Sequence, residues 1–448
     1  MKKLLMLSFL LIAAAGLVFA GGSREEAPDV ADAPDGFHWR SQDGQVITIL
    51  ANQHPWVEIV RPKISEFEEL TGIRVNLDVY PEEQFRTRRT VEMVSGTSVV
   101  DVFMIMPGNA LDQYYYNNWA APLNPMMNNP NLVWPEHDID DFYPAALDAG
   151  VRGGNNYTVP LLLETSVLAY NREIFDEYGV DVPTTMEELE EAARTIYEGS
   201  NGQTYGITLR GNRAAATSQW VGFLYSFGGS WTDENGDAAV DSPEAIAALQ
   251  FYGDLLRNYG PRGATANSWY ESNSLFQQGE AAMVYDANVF RPNFEDPSQS
   301  VIYDKVGYAP LPAGPAGSIP HVSNWGLAIS ANSDAKEAAW LFIQWATSKD
   351  VALEGQLLGM PSARASAWES EEFAATNEAP DWAAASMTNY ENGQPQWNPP
   401  VLNIGEARDA VGNAIVAAIL GEDVAAAARD AAREMNAIIA EDRAEMGN

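Results

Sequence analysis

Four stretches of the chain end an apolar or β-branched run on residues able to do chemistry. Glu164 closes LLLE, Arg210 closes YGITLR, Asp286 and Asn288 follow MVY, and Asn52 and His54 follow VITIL. A carboxylate at the end of an apolar run is costly to bury without a partner, which sets Glu164 apart for a polar contact. Arg210 offers a planar fork of donors suited to vicinal hydroxyls or to holding a carboxylate, and Gly211 behind it permits close backbone approach. Asp286 and Asn288, two apart on an extended segment, face the same way and could reach one ligand. Asn52 and His54 stand at the C-terminal edge of the first strand, where open α/β sheets bind ligands, and capping the following loop is the alternative. Arg364, in PSARASAW, is a further donor. Two carboxylates such as Glu164 and Asp286 could flank a bond to be hydrolysed.

Flat apolar surfaces accompany these groups. Of 13 tryptophans, Trp56, Trp231, Trp269, Trp325 and Trp397 lie in segments that read as loops or strand ends, whereas Trp340 and Trp345 sit within an amphipathic helix and are assigned to packing. Metal chemistry finds little support. The four histidines are scattered and there is no cysteine, so no zinc or transition-metal site is expected. EELEEAAR and ESEEFAA read as solvated helix faces, because the alternating Asp/Asn pattern of a calcium loop is missing. No GxSxG elbow, P-loop or GxGxxG occurs. No cofactor is expected.

The elements that must position these residues read as an alternating α/β chain. VITILAN is a strand, WVEIVRPKISEFEELTG an amphipathic helix ending at Gly72, IRVNLDVY a strand, FRTRRTVEMVSG a helix and VVDVFMI a buried strand; this grammar predicts parallel pairing with right-handed crossovers. YTVPLLLETSVLAYN reads as two extended segments. TTMEELEEAARTIYEG reads as a helix with a Thr cap and early acids, YGITLRG as a strand, and residues 218–225 and 242–259 as helices. EAAMVYD, KVGYAPLP and NWGLAIS are extended, SDAKEAAWLFIQWATS is a helix, and the last sixty residues form two alanine-rich helices.

The ends and the composition set the address. MKKLLMLSFLLIAAAGLVFA has the basic start, apolar run and terminal small residue of a cleavable signal peptide, residues 1–20. Residues 21–45 mix Gly, Pro, Ser and acids and read as a flexible spacer. Without cysteine there is neither a disulfide nor a lipid-acceptor residue, so the mature protein is expected to be soluble and periplasmic. The formal charge is −36, and loss of Lys2 and Lys3 with the leader leaves 24 basic against 62 acidic residues, or −38. Such a field repels phosphate backbones and anionic lipid, so no nucleic-acid partner is expected.

The order and spacing of TGIRVNL, SGTSVVDVFMI, NNWAAPL, YTVPLLLETSVLAYNREIFDEYGVDVPTTMEELEEAAR, SLFQQGEAAMVYDANV and NWGLAIS with KEAAWLFIQWATS carry a resemblance. The chain resembles the extracellular solute-binding proteins of ABC importers, in the sugar-binding family that includes maltodextrin-, mannitol- and sorbitol-binding proteins. YGITLRGN with SFGG, and MVYDANV with the tryptophan of NWGLAIS, look most like the polyol-binding branch; GNRAAATSQW departs from it in lacking a tryptophan and a glutamate close behind the arginine. The resemblance implies a two-lobed periplasmic binding protein fold with a hinge and an interlobe cleft. It implies crossovers near Ala169, Tyr285 and Trp345, with 46–169 plus 286–345 in one lobe and 170–285 plus 346–448 in the other. It also implies Trp269 and Trp325 at the cleft, hinge closure on a polyol or small saccharide, delivery by a monomer to an inner-membrane permease, and no catalysis. Charged or amide groups for the hydroxyls and indoles for the C–H faces are what such a ligand requires.

Overall fold

The computed structural model describes residues 36–376 and 379–446; the leader and residues 21–35 of the spacer lie outside the described residues. Strands supply the frame. β1 (Val46–Asn52) pairs in parallel with β2 (Arg74–Tyr80) and β3 (Val102–Ile105), as the strand–helix alternation predicts. β3 and most of β1 are buried, whereas β2 at the sheet edge alternates in exposure. A small antiparallel pair, β4 (Val151–Arg152) with β5 (Asn155–Asn156), stands apart.

The two extended segments expected around Glu164 are one continuous strand, β6 (Val159–Asn171), of 13 residues. β7 (Met283–Ala287), β8 (Val306–Ala309) and β9 (Val322–Ile329) all pair with it in antiparallel fashion. The first half of β6, up to Thr165, lies beside β9, and β9 in turn lies beside β3. From Ser166 onward its partners are β7 and β8. One strand therefore belongs to both halves of the sheet.

This pairing bears on the expected boundaries. β8 pairs with Leu168–Asn171 and β9 with β3, so the block 286–345 is split between the two halves instead of joining the first as a unit. The helix Lys349–Leu357 packs on Pro55–Val60, so 346–448 is split as well. The spacer also ends earlier than its composition suggests. Residues Trp39–Gln42 form a turn of 3-10 helix, Trp39 packs on Trp134 with centroids 5.2 Å apart, and the Arg40 guanidinium donates to the Glu69 carbonyl at 2.7 Å.

YGITLRG forms no strand. It makes isolated bridges, Tyr205 to Ala281 just before β7 and Thr208 to Val284 within it, and the segment is pressed between other backbones. A Cβ at Gly211 would lie 2.1 Å from the Ala264 carbonyl, so the close approach this glycine permits is to the protein itself. The alanine-rich C-terminal helices Ile404–Leu420 and Val424–Met446 are present as expected, the first packed against Arg213–Ser226 and Pro243–Tyr259. The helix Pro380–Asn392 crosses β6 at its midpoint, where Asn389 donates to the Ser166 carbonyl at 2.8 Å and Tyr390 to that of Leu163 at 2.9 Å. No described helix is long and apolar enough to cross a membrane.

Candidate functional site

The period-two rule of strands assembles the floor of the site. Residues paired directly across an antiparallel ladder share a face, and Leu162 pairs with Trp325 while Glu164 pairs with Ser323. Glu164 and Ser166 on β6, with Ser323 and Trp325 on β9 and His321 just before it, accordingly line one cavity. Asn52, Gln53 and His54 close it from the end of β1. His54 makes the loop cap considered for it, its Nδ1 accepting the Trp56 amide at 3.1 Å as the N-cap of Pro55–Val60, and its Nε2 stands 3.6 Å from Glu164 Oε1. Glu164 accepts no hydrogen bond from a described residue. Asn52 Oδ1, His54 Nε2 and His321 Nδ1 are buried with no hydrogen-bond partner among the described residues.

The opposite wall comes from the other half of the sheet. Arg210 reaches the cavity, while Asp286, paired with Val167, lies on the face of the sheet opposite to Ser166 and Ala287. Asp286 acts behind the wall, holding Arg210 through both carboxylate oxygens, at 3.1 Å from Nε and by a shorter contact to Nη2. Arg210 Nη1 also donates to Ser218 Oγ at 2.9 Å, and Gln219 Oε1 accepts the Arg210 amide at 2.7 Å. Burial pushes the Asp286 carboxyl up, and the charge and hydrogen bonds of Arg210 pull it back. Burial, reinforced by the Arg210 cation, pushes His321 down to about 3, which favours the neutral imidazole.

At the mouth, Glu82 and Arg86 pair one helical turn apart, and Trp269 Nε1 donates across to Glu82 Oε2 at 3.2 Å. The Trp269 ring stacks on Phe290 with centroids 4.7 Å apart, and on Tyr270, so its polar edge is engaged by Glu82. Trp397 stacks on His321 at 5.9 Å, and the Arg408 guanidinium stands 5.6 Å over the same indole. The cavity is about 60 Å³, and across Glu82, Arg86, Arg210, Trp269 and Arg408 it adjoins a hollow of about 320 Å³.

The family model for bacterial extracellular solute-binding proteins matches residues 51–353. The chain belongs to that family. The chain is similar to an erythritol/L-threitol-binding protein of Mycolicibacterium smegmatis, 31% identical over 76% of this chain and 75% of the relative, and to a mannitol-binding protein of Pseudomonas aeruginosa, 31% identical over 69% and 70%. Among solved structures it is similar to an ABC transporter solute-binding protein of Agrobacterium radiobacter in complex with ribitol. That match has 30% identity, a TM-score of 0.79, and covers 88% of this chain and 99% of the other. A counterpart from Agrobacterium vitis with bound D-mannitol gives 26%, 0.78, 89% and 99%. The two-lobed α/β fold with a cleft between the lobes, expected from the resemblance, is thus the fold of this solute-binding protein.

Of the residues singled out from sequence, Asn52, His54, Glu164, Arg210, Trp269 and Trp325 meet at the cavity, with Asp286 one step behind. Asn288 does not reach it. Its side-chain Oδ1 accepts the Thr165 amide at 3.3 Å and its Nδ2 donates to the Ser386 and Tyr390 hydroxyls at 3.0 and 2.9 Å, bracing β6 where its partners change. Arg364 is buried elsewhere in the solute-binding protein, paired with Asp141 at 3.0 Å and donating to the carbonyls of Thr347, Asp138 and His137. Trp56 is buried beside other apolar residues, and Trp231 packs on Trp220. Sequence reasoning passed over Ser166, His321 and Ser323, although stepping by two from Glu164 and Trp325 finds them. Glu82 and Arg86, at i and i+4 after the second strand, carried a weaker signal. Arg408 carried none, since its contact with Ala214 spans 194 residues. A hydrolytic pair of Glu164 and Asp286 is not supported: both oxygens of Asp286 are held by Arg210, and the family consists of binding proteins.

Proposed function

We propose that this protein captures a small polyol or saccharide in the cavity between its lobes and delivers it to the permease of an ABC importer. The observation that carries this reading is a cavity whose Glu164 carboxylate, Asn52 Oδ1 and His54 Nε2 have no hydrogen-bond partner among the described residues, beside the Trp325 indole. Hydroxyls that both donate and accept satisfy such a set, and the C–H face of the ligand meets the indole. The relatives that bind erythritol, threitol, mannitol and ribitol support the same ligand class.

The strand pairings support lobe crossings at Thr165–Ser166, within 310–321 between β8 and β9, and between Arg364 and the helix Pro380–Asn392. A ligand touching both walls binds the closed state better than the open one, so binding shifts the population towards closure, which the permease reads. The lysines and apolar run of 1–20 support export to the periplasm. Thermal unfolding with erythritol, ribitol, sorbitol, D-mannitol, glucose and maltose tests the reading. An alditol at a hundred times its Kd should stabilise the fold by about 2.7 kcal/mol and be recovered intact; no shift with any of the six contradicts the reading, and consumption of the ligand would restore an enzyme.

A further inference from the structure

The charges that line the cavity cancel in an orderly way. Arg86 is paired with Glu82, and Arg210 with Asp286. Two charges remain without an ionic partner among the described residues. Arg408, 2% exposed, donates through Nε and Nη2 to the Ala214 carbonyl and through Nε to Thr217 Oγ1 at 2.8 Å, while its Nη1 is buried with no hydrogen-bond partner among the described residues. Glu164, 8% exposed, has only the His54 imidazole at 3.6 Å. His54 accepts the Trp56 amide on Nδ1 and so, when neutral, carries its proton on Nε2. An unpaired guanidinium and an unpaired carboxylate thus face one small buried space.

We propose that Arg408 and Glu164 are opposite poles of the binding cavity and make the protein selective for an electrically neutral polyhydroxy ligand. Arg408 Nη1 donates to one ligand oxygen and Glu164 accepts from a ligand hydroxyl. A neutral ligand satisfies both poles without adding charge. A ligand carboxylate gains Arg408 but must be stripped of water and share the space with Glu164, and a ligand ammonium meets the converse; desolvation of a buried charge exceeds what one partner returns. This rests on the polyol reading.

Calorimetry of the full chain with ribitol and D-mannitol, the matching aldonates and the matching amino-deoxy alditols separates the two. At pH 7 an alditol should bind at least about tenfold more tightly than either charged analogue, a gap of about 1.4 kcal/mol. Glu164→Gln should narrow the gap for the aldonate alone, and Arg408→Gln for the amine alone; a merely structural role would weaken all three ligands alike. Equal or tighter binding of an aldonate or amine by the unmodified protein overturns charge selection while leaving the polyol reading intact, and that holds even if a variant fails to fold. Failure of all six ligands to bind overturns the polyol reading itself.

Discussion

Trp325 owes its place to register. Because β9 pairs it with Leu162 and places Ser323 opposite Glu164, indole and carboxylate face the same space. Trp325→Ala should weaken alditol binding by about tenfold or more, measured by calorimetry on a variant whose unliganded unfolding transition is intact; unchanged affinity would make the indole a packing residue. Asn288→Ala should act differently. It leaves the Thr165 amide in the middle of β6 without its side-chain acceptor and removes the amide donor to the Ser386 and Tyr390 hydroxyls, so stability should fall by about 1–3 kcal/mol in denaturant unfolding; a drop in affinity with unchanged stability would contradict the bracing role. At this scale the sequence was readable wherever a polar residue ended an apolar run, as with Glu164, Arg210 and Asn52. It misled at Arg364 and Asn288. Their chemistry suits a ligand equally well, and only distant partners such as Asp141 and Tyr390 reveal that the protein consumes it.

Elements follow local rules more faithfully than sites do. The first three strands, the capped helix Met186–Gly199 and the two alanine-rich helices are where periodicity and caps predict them, since each satisfies its own backbone or buries one clear face. YGITLRG satisfied the strand pattern and still formed no ladder, because neighbouring backbones crowd its glycines, and no local signal reports that. Small residues in the helix Ile404–Leu420 matter for the same reason. A Cβ at Gly412 would come within 2.4 Å of the Arg213 backbone, at the start of the helix whose Ala214 carbonyl Arg408 grips. Gly412→Val should therefore force the helices apart and cost about 1–3 kcal/mol or more, read as a lower urea midpoint; an unchanged midpoint would mean that the two helices are not rigidly packed.

For the whole molecule, the acidic balance and the histidines shape solution behaviour. Burial, with Arg364 adding to it for His137 and Arg210 for His321, pushes both imidazoles from 6.5 to about 3. Between those values the unfolded chain takes up protons that the folded protein refuses. Stability is therefore full above about pH 6.5 and falls as pH drops towards 3, each histidine contributing up to about 1.4 kcal/mol per pH unit. Urea midpoints at pH 7 and pH 5 should differ accordingly, and His137→Gln should reduce the difference; equal midpoints would contradict neutral burial. The two-lobed plan was legible from the order of motifs, whereas pairings such as β8 with β6, which lie over a hundred residues apart, leave no local signal. The claim on which the rest depends is that the cavity takes a polyol. Titration calorimetry of ligand-free protein with ribitol and D-mannitol tests it most directly: saturable one-to-one binding to at least one of them is predicted, and no heat from either at millimolar concentration would contradict it.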